Sequence, residues 1–248
     1  MFAMLPDIKV PYSTKPSMIK RIGPAFRPCA DQNQLDAKRA ELSRHGELLW
    51  GCSSLAKDKN LVARAAQHCG KPYTDNLVDL AMCFEEDLAI MHCGKLEAVC
   101  FCFPSGWTPK EKLGLSLADI HRPVGDGEDL VRVSDKLAKT MADSTMGGFQ
   151  RSVWTVTANP HLNAMPGAYT VSEPHCMEDL YFRWEEQTTE PMSDGTTSLF
   201  FVRTQVVPLL SVWADLGSRI QDSVNSMSAA VLAYKNLRDI KMILNLGR

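Results

Sequence analysis

Apolar positions change period along this chain, and each change marks an element. Leu35, Leu42 and Leu49 recur at seven-residue spacing in a polar background that stops at Gly51, which predicts a helix over 31–50. Residues 57–69 predict a second helix, ended by Gly70 and Pro72, and residues 74–83 a third. The period then shortens. Residues 87–92 and 96–103 are apolar stretches of strand length joined by Cys93-Gly94-Lys95, a hairpin signal. Thr108-Pro109-Lys110-Glu111 reads as an N-cap, a proline at the first helical position and a capping-box glutamate, so a helix is expected to about His121. Residues 129–141 place Leu130, Val133, Leu137 and Met141 on one helical face. Three strand-like stretches follow, 150–158, 180–189 and 198–207, with Asp194-Gly195 turning the chain between the last two. From 208 to 246 the pattern is helical, with a break expected near Gly217. Five prolines between Pro6 and Pro28 oppose regular structure, so residues 1–30 are expected as an extended strap.

The order is helices, two strands, helices, three strands, helix. It predicts one α+β domain over 1–248, with 208–248 as a C-terminal helical region. Two strands, a helical crossover and three more strands is the connectivity of a PAS-like antiparallel five-stranded sheet whose flanking helices enclose a small-molecule pocket. Other α+β folds share that connectivity.

Composition narrows the function. Lys and Arg total 27 against 29 Asp and Glu, a net charge of −2, so nothing draws the chain at long range to nucleic acid or an anionic membrane. No apolar run approaches the roughly 18 residues a membrane span needs, and residues 1–9 do not read as a secretory signal. The eight cysteines are scattered, with no CxxC and no zinc or ferredoxin spacing. Reduced thiols and a cytoplasmic location are expected.

The stretch with most chemical content is FPSGWTPKEKLGLSLADIHRPV, residues 103–124. On a continuous helix Leu113, Leu117 and His121 form a stripe, and Gly114 opens a gap beside it where a large flat ligand approaches closely. Trp107 sits where it staples the helix start. A histidine at a helix C-terminus often just bonds a carbonyl or meets the macrodipole. A neutral imidazole on an apolar face is also what a haem iron takes as its axial ligand, and spacing alone leaves both readings open. Arg183, Glu185 and Gln187 alternate onto one sheet face, which is either a solvated outer face or a functional one. Cys100 and Cys102 share a strand face and read as buried, inert thiols.

The run FPSGW-x-P-x-EKLG-x-x-L-x-x-IH-x-PV resembles the signature of the haem-dependent oxidative N-demethylases, or dimethylamine monooxygenases, in their haem subunit. Glu86-Asp87-Leu88 resembles the acidic start of the preceding strand, Arg151-Ser152-Val153-Trp154 the family's R-x-N-W, and Arg183-Trp184-Glu185-Glu186-Gln187-Thr188 its R-x-E-R-Q-T. The resemblance implies a PAS-like domain in which haem b, held by His121, activates dioxygen to oxidise a small amine. Gly114, Leu117, Lys112, Trp107, Arg151 and Trp154 are then candidate cofactor-binding residues. Arg183 would pair with a propionate or orient Glu185, and Glu185 would hold a substrate ammonium or relay protons. Electrons from NADPH, through FMN and an iron–sulfur centre, would come from a separate reductase, since this chain has neither GxGxxG nor a cluster array. A non-enzymatic haem-PAS gas or redox sensor, or a haem-binding carrier, is the alternative, and a homodimer is compatible with either. Three positions depart from the family pattern: Val153 for Asn, Glu186 for Arg, and Gly125 for a second proline.

Overall fold

The computed structural model describes residues 5–27 and 30–246; the part of the expected strap at residues 1–4, Pro28 and Cys29 lies outside the described residues. The segment from Leu5 is extended as its prolines require, and ends in a two-residue strand, β1 (Ile19–Lys20). Helix α1 (Gln32–His45) is capped by the Asp31 side chain, which accepts from the Asn33 amide. It is shorter than its leucine spacing suggests, because Gly46 takes a left-handed φ of 51°. A single 3₁₀ turn then feeds β2 (Trp50–Cys52), which begins where the leucine spacing predicts helix. The helix expected over 57–69 divides into α2 (Ser54–Asp58) and α3 (Leu61–His68), and α4 (Leu77–Ala81) follows.

The five expected strands are all present: β3 (Asp87–His92), β4 (Lys95–Cys100), β5 (Phe149–Thr157), β6 (Tyr181–Pro191) and β7 (Thr197–Pro208). Cys93 and Gly94 have φ of 50° and 77°, which a two-residue hairpin turn of the primed type requires. With the short edge strands the sheet has seven members rather than five, in the order β1-β5-β6-β7-β3-β4-β2, every pair antiparallel.

Both faces of the sheet are covered. On one face, Leu88, Ile90, Cys100 and Phe201 pack under α3 and α4. Trp154, Val156, Phe182 and Trp184 on the same face pack under the C-terminal helices α7 (Leu210–Asn225), α8 (Ala229–Tyr234) and α9 (Arg238–Leu246). The opposite face carries Ala89, Val99 and Val202 and meets α5 (Leu117–His121) and α6 (Glu128–Ala142) through Leu117, Ala138 and Met141. Helix α7 is not broken at Gly217. A Cβ there would lie 2.6 Å from the Trp213 ring, so the glycine serves packing, and the break comes instead after Asn225. No helix among the described residues is long and apolar enough to cross a membrane.

The helix expected from Thr108 to His121 is also revised. Residues Pro109–Lys112 form a 3₁₀ turn, and Thr108 makes no side-chain cap. Gly114 then adopts φ 81° and donates its amide to the Leu96 carbonyl at 2.7 Å. Helix α5 restarts behind Ser116, whose hydroxyl accepts from the Asp119 amide at 3.1 Å. The stripe through Leu113, Gly114, Leu117 and His121 therefore does not form.

Candidate functional site

Alternation along β5 and β6 places Arg151, Val153, Arg183, Glu185 and Gln187 on the sheet face that carries α5 and α6. Cross-strand register sets Arg151 opposite Gln187 and Val153 opposite Glu185. A continuous polar chain results. Arg151 Nε donates to Gln187 Oε1 at 2.6 Å, and Gln187 Nε2 donates to Glu185 Oε2 at 2.6 Å. The other Glu185 oxygen accepts from the Ser105 hydroxyl, which in turn accepts from Arg183 Nε at 2.8 Å. Arg183 is 3% exposed, so the solvated-face reading does not apply to it. Its remaining donors reach the carbonyls of Phe103 (3.0 Å), Pro104 (3.3 Å) and His161 (3.2 Å). Every end of that guanidinium is used by the protein, which leaves no fork for an external carboxylate.

The same loop is held from its other side. Asp87, fully buried, accepts from the amides of Cys102 (2.9 Å) and Phe103 (2.8 Å). Burial outweighs these bonds and the nearby Lys38 ammonium, so the carboxyl is pushed up to about 6. Lys38, also fully buried, donates to the carbonyls of Ala81, Phe84 and Glu86 at 2.7–3.1 Å and lies 4.0 Å from Asp87. The acidic strand start and the Arg183 strand segment, far apart in sequence, thus both hold Phe103-Pro104-Ser105, and Arg151 is linked on through Gln187 and Glu185.

His121 closes α5 on the same side of the sheet. Its Nδ1 meets the Leu117 carbonyl at 2.8 Å, which fixes the ring and selects the tautomer with the proton on Nδ1. Nε2 has no partner among the described residues. Burial first, then the nearby Arg151 and Lys112 charges, push the imidazole down to about 4, against the Leu117 bond that favours the cation. The ring is therefore neutral at physiological pH, with one bare nitrogen.

Around this space lie groups that sequence spacing gave no reason to join. Lys235, just past α8, donates to the Trp154 carbonyl at 2.7 Å on the edge of β5 that β1 leaves uncovered. Its ammonium stands over the Tyr12 ring at 5.4 Å, and burial pushes it down to about 8 despite the pull of Glu185. Tyr12, from the extended N-terminal segment, packs edge-on against Trp154 and is pushed up to about 12 by burial and Tyr234. That segment is tied down along its length. The Tyr12 amide donates to Ser226 Oγ, Thr14 Oγ1 donates to the Asp126 carbonyl at 2.8 Å, and Arg151 Nη1 reaches the Pro16 carbonyl at 3.4 Å.

The remaining sequence candidates fall in different places. Lys112 is half-buried near His121, and Leu117 supplies the carbonyl that orients the ring. Trp107 packs on Phe101 at 5.3 Å beside α5. Gly114 is an exposed turn residue with φ 81° rather than part of a helix face, and an added Cβ there would meet nothing within 4 Å. Trp154 points to the opposite sheet face, stacked on Phe182 under the C-terminal helices. Cys100 and Cys102 are buried on that opposite face as well. Among the other histidines, His161 stacks on Tyr169 at 3.8 Å, and His92 is buried and bonded to Thr197. Of the three departures, Val153 faces the site directly across from Glu185. Glu186 points the other way, 3.9 Å from Arg27. Gly125 lies against the start of α8, where an added Cβ would be 2.6 Å from the Ala230 carbonyl oxygen.

The family model described as haem-dependent oxidative N-demethylase, alpha subunit-like, matches residues 47–244. That span holds the whole polar chain, His121 and Lys235, and begins after the N-terminal extended segment. No curated protein matches the chain.

Proposed function

Since the chain belongs to the haem-dependent oxidative N-demethylase, alpha subunit-like family, we propose that it binds haem b through His121 and oxidises the N-methyl group of a small amine. The observation that carries this reading is the His121 ring, with Nδ1 spent on a backbone carbonyl and Nε2 bare and unprotonated. An iron ligand needs that state, and a carbonyl on the far nitrogen is the usual way to orient it. The chemistry of the surroundings fits as well. Arg151 and Lys112 bring positive charge to a group that carries two carboxylates, and Leu117 and Ile120 give it an apolar wall. The run of β3 and β4, helical crossover, then β5 to β7 supports a PAS-like reading of the fold.

When bound, the haem would supply oxygen activation, drawing electrons that a separate reductase takes from NADPH through FMN and an iron–sulfur centre. The residues of this chain position the substrate. Glu185 has one oxygen fixed by Ser105 and the other by Gln187, so its charge is held still on the site face, where it suits an ammonium or a proton in transit. Val153 sets an apolar surface directly across from it, suited to an N-alkyl group. Arg183 acts through Ser105, keeping that hydroxyl aimed at Glu185.

The test is the absorption spectrum of protein loaded with haem. A Soret band that is lost in His121→Ala, together with oxygen-dependent formaldehyde release from methylated amines under added reductant, is expected. A histidine-ligated haem that forms a stable oxygen complex and turns over no amine would point to a sensor instead, and no haem binding at all would overturn the reading.

A further inference from the structure

Two cations, Arg151 on the site face and Lys235 at the edge of β5, lie near Glu185 without a carboxylate left over for them. Arg151 spends Nε on Gln187 and Nη1 on a long 3.4 Å contact to Pro16, and Nη2 has no partner among the described residues. Lys235 spends one of its three ammonium hydrogens, on the Trp154 carbonyl. Both charges lie within reach of Glu185, but its two oxygens are already occupied by Ser105 and Gln187. Tyr12 flanks both cations, and it presents a ring face to Lys235 rather than an anion. Burying two cations beside one committed carboxylate is costly unless an anion joins them.

We propose that Arg151 and Lys235 form a carboxylate-binding pair whose ligand is the propionate edge of the haem. The inference rests on the reading that this face of the sheet takes a porphyrin. Arg151 presents a planar edge and Lys235 a point charge, a combination that suits two carboxylates at slightly different positions. Lys235 belongs to the chain just past α8 and Tyr12 to the N-terminal segment, so the pair ties both to the bound group. A substrate that carries its own carboxylate has the same chemistry, and the two sources separate experimentally.

Metal-free protoporphyrin IX and its dimethyl ester, followed by porphyrin fluorescence, test the pair without using iron or turnover. The expected result is that wild type prefers the free acid. Lys235→Met and Arg151→Gln should each lose about ten- to a hundred-fold in affinity for the acid, as removal of a charge-assisted bond implies, and little for the ester. Because each variant is compared with itself, the ratio of acid to ester affinity is insensitive to a general loss of stability. Unchanged ratios, combined with weaker perturbation of the haem spectrum by N-methylglycine but not by dimethylamine, would keep the pair and reassign its ligand to the substrate. Unchanged ratios together with unchanged N-methylglycine binding would overturn it, as would a wild type that binds none of these probes. Binding of metal-free porphyrin by a protein that fails to ligate haem iron would instead count against His121 alone.

Discussion

Replacing Arg183 by lysine keeps the charge and removes the fork, and the structure says what that should cost. Arg183 makes four bonds, to Ser105 Oγ, His161 O, Phe103 O and Pro104 O. A lysine ammonium is a single point with three hydrogens and can serve about two of these acceptors from one position. Bonds to a charged donor contribute about 1.5–3 kcal/mol each, and Phe103 O keeps one partner in Thr204 Oγ1. Loss of two bonds at a site only 3% exposed should therefore destabilise the fold by roughly 3–5 kcal/mol. For a chain of this length each kcal/mol lowers the melting temperature by about 2–4 °C. Arg183→Lys should thus melt at least about 6 °C below wild type. Ser105→Ala should cost less, and the double variant should cost less than the sum, since both act on one bridge. Thermal and urea unfolding of the four proteins measures all of this. If Arg183→Lys stays within about 1 kcal/mol of wild type, the guanidinium does not pin the loop, and Glu185 is not positioned through it.

Further outcomes follow from other groups. Asp87 binds its proton more tightly folded than unfolded, so between about pH 4 and 6 the folded chain holds a proton that the unfolded chain has released, and raising the pH through that window lowers stability. Asp87→Asn removes that dependence, and the melting temperature of the variant minus that of wild type should climb from about pH 4 to 6 and level off above. A flat difference would refute the shift. Gly125→Ala forces a methyl to within 2.6 Å of the Ala230 carbonyl and should destabilise by about 1–3 kcal/mol, as overpacking against backbone does; unchanged unfolding would show that α8 yields freely. Cys100→Ala and Cys102→Ala should leave the haem spectrum unaltered, because both thiols face away from His121. A shifted Soret band in either would show that a thiol reaches the haem after all.

The strands of the sheet were legible because period-two alternation is a local signal, and so was the grouping of Arg183, Glu185 and Gln187 on one face. Edge strand β2 was not, since three residues cannot show alternation and its pairing with β4 lies some fifty residues away. The helix over 108–121 failed for a related reason: Gly114 gains a bond to Leu96 O that only the folded hairpin offers, and that bond outcompetes helix continuation. His121 could be singled out from its surroundings in sequence, but not the carbonyl that would orient it in a broken helix. Ser105 and Lys235 were invisible as partners of the site, because their roles come from contacts 78 and 81 residues distant.

The anchors of the N-terminal extended segment have one more consequence, in the order of biosynthesis. Thr14, Pro16 and Tyr12 dock on residues 112, 135 and 214 positions later in the chain. This stretch leaves the ribosome before any of its docking points exists, and it settles only after the last helices have emerged. Until then the Arg151 end of β5 stands without that covering, so this edge of the sheet is the last part of the fold to close.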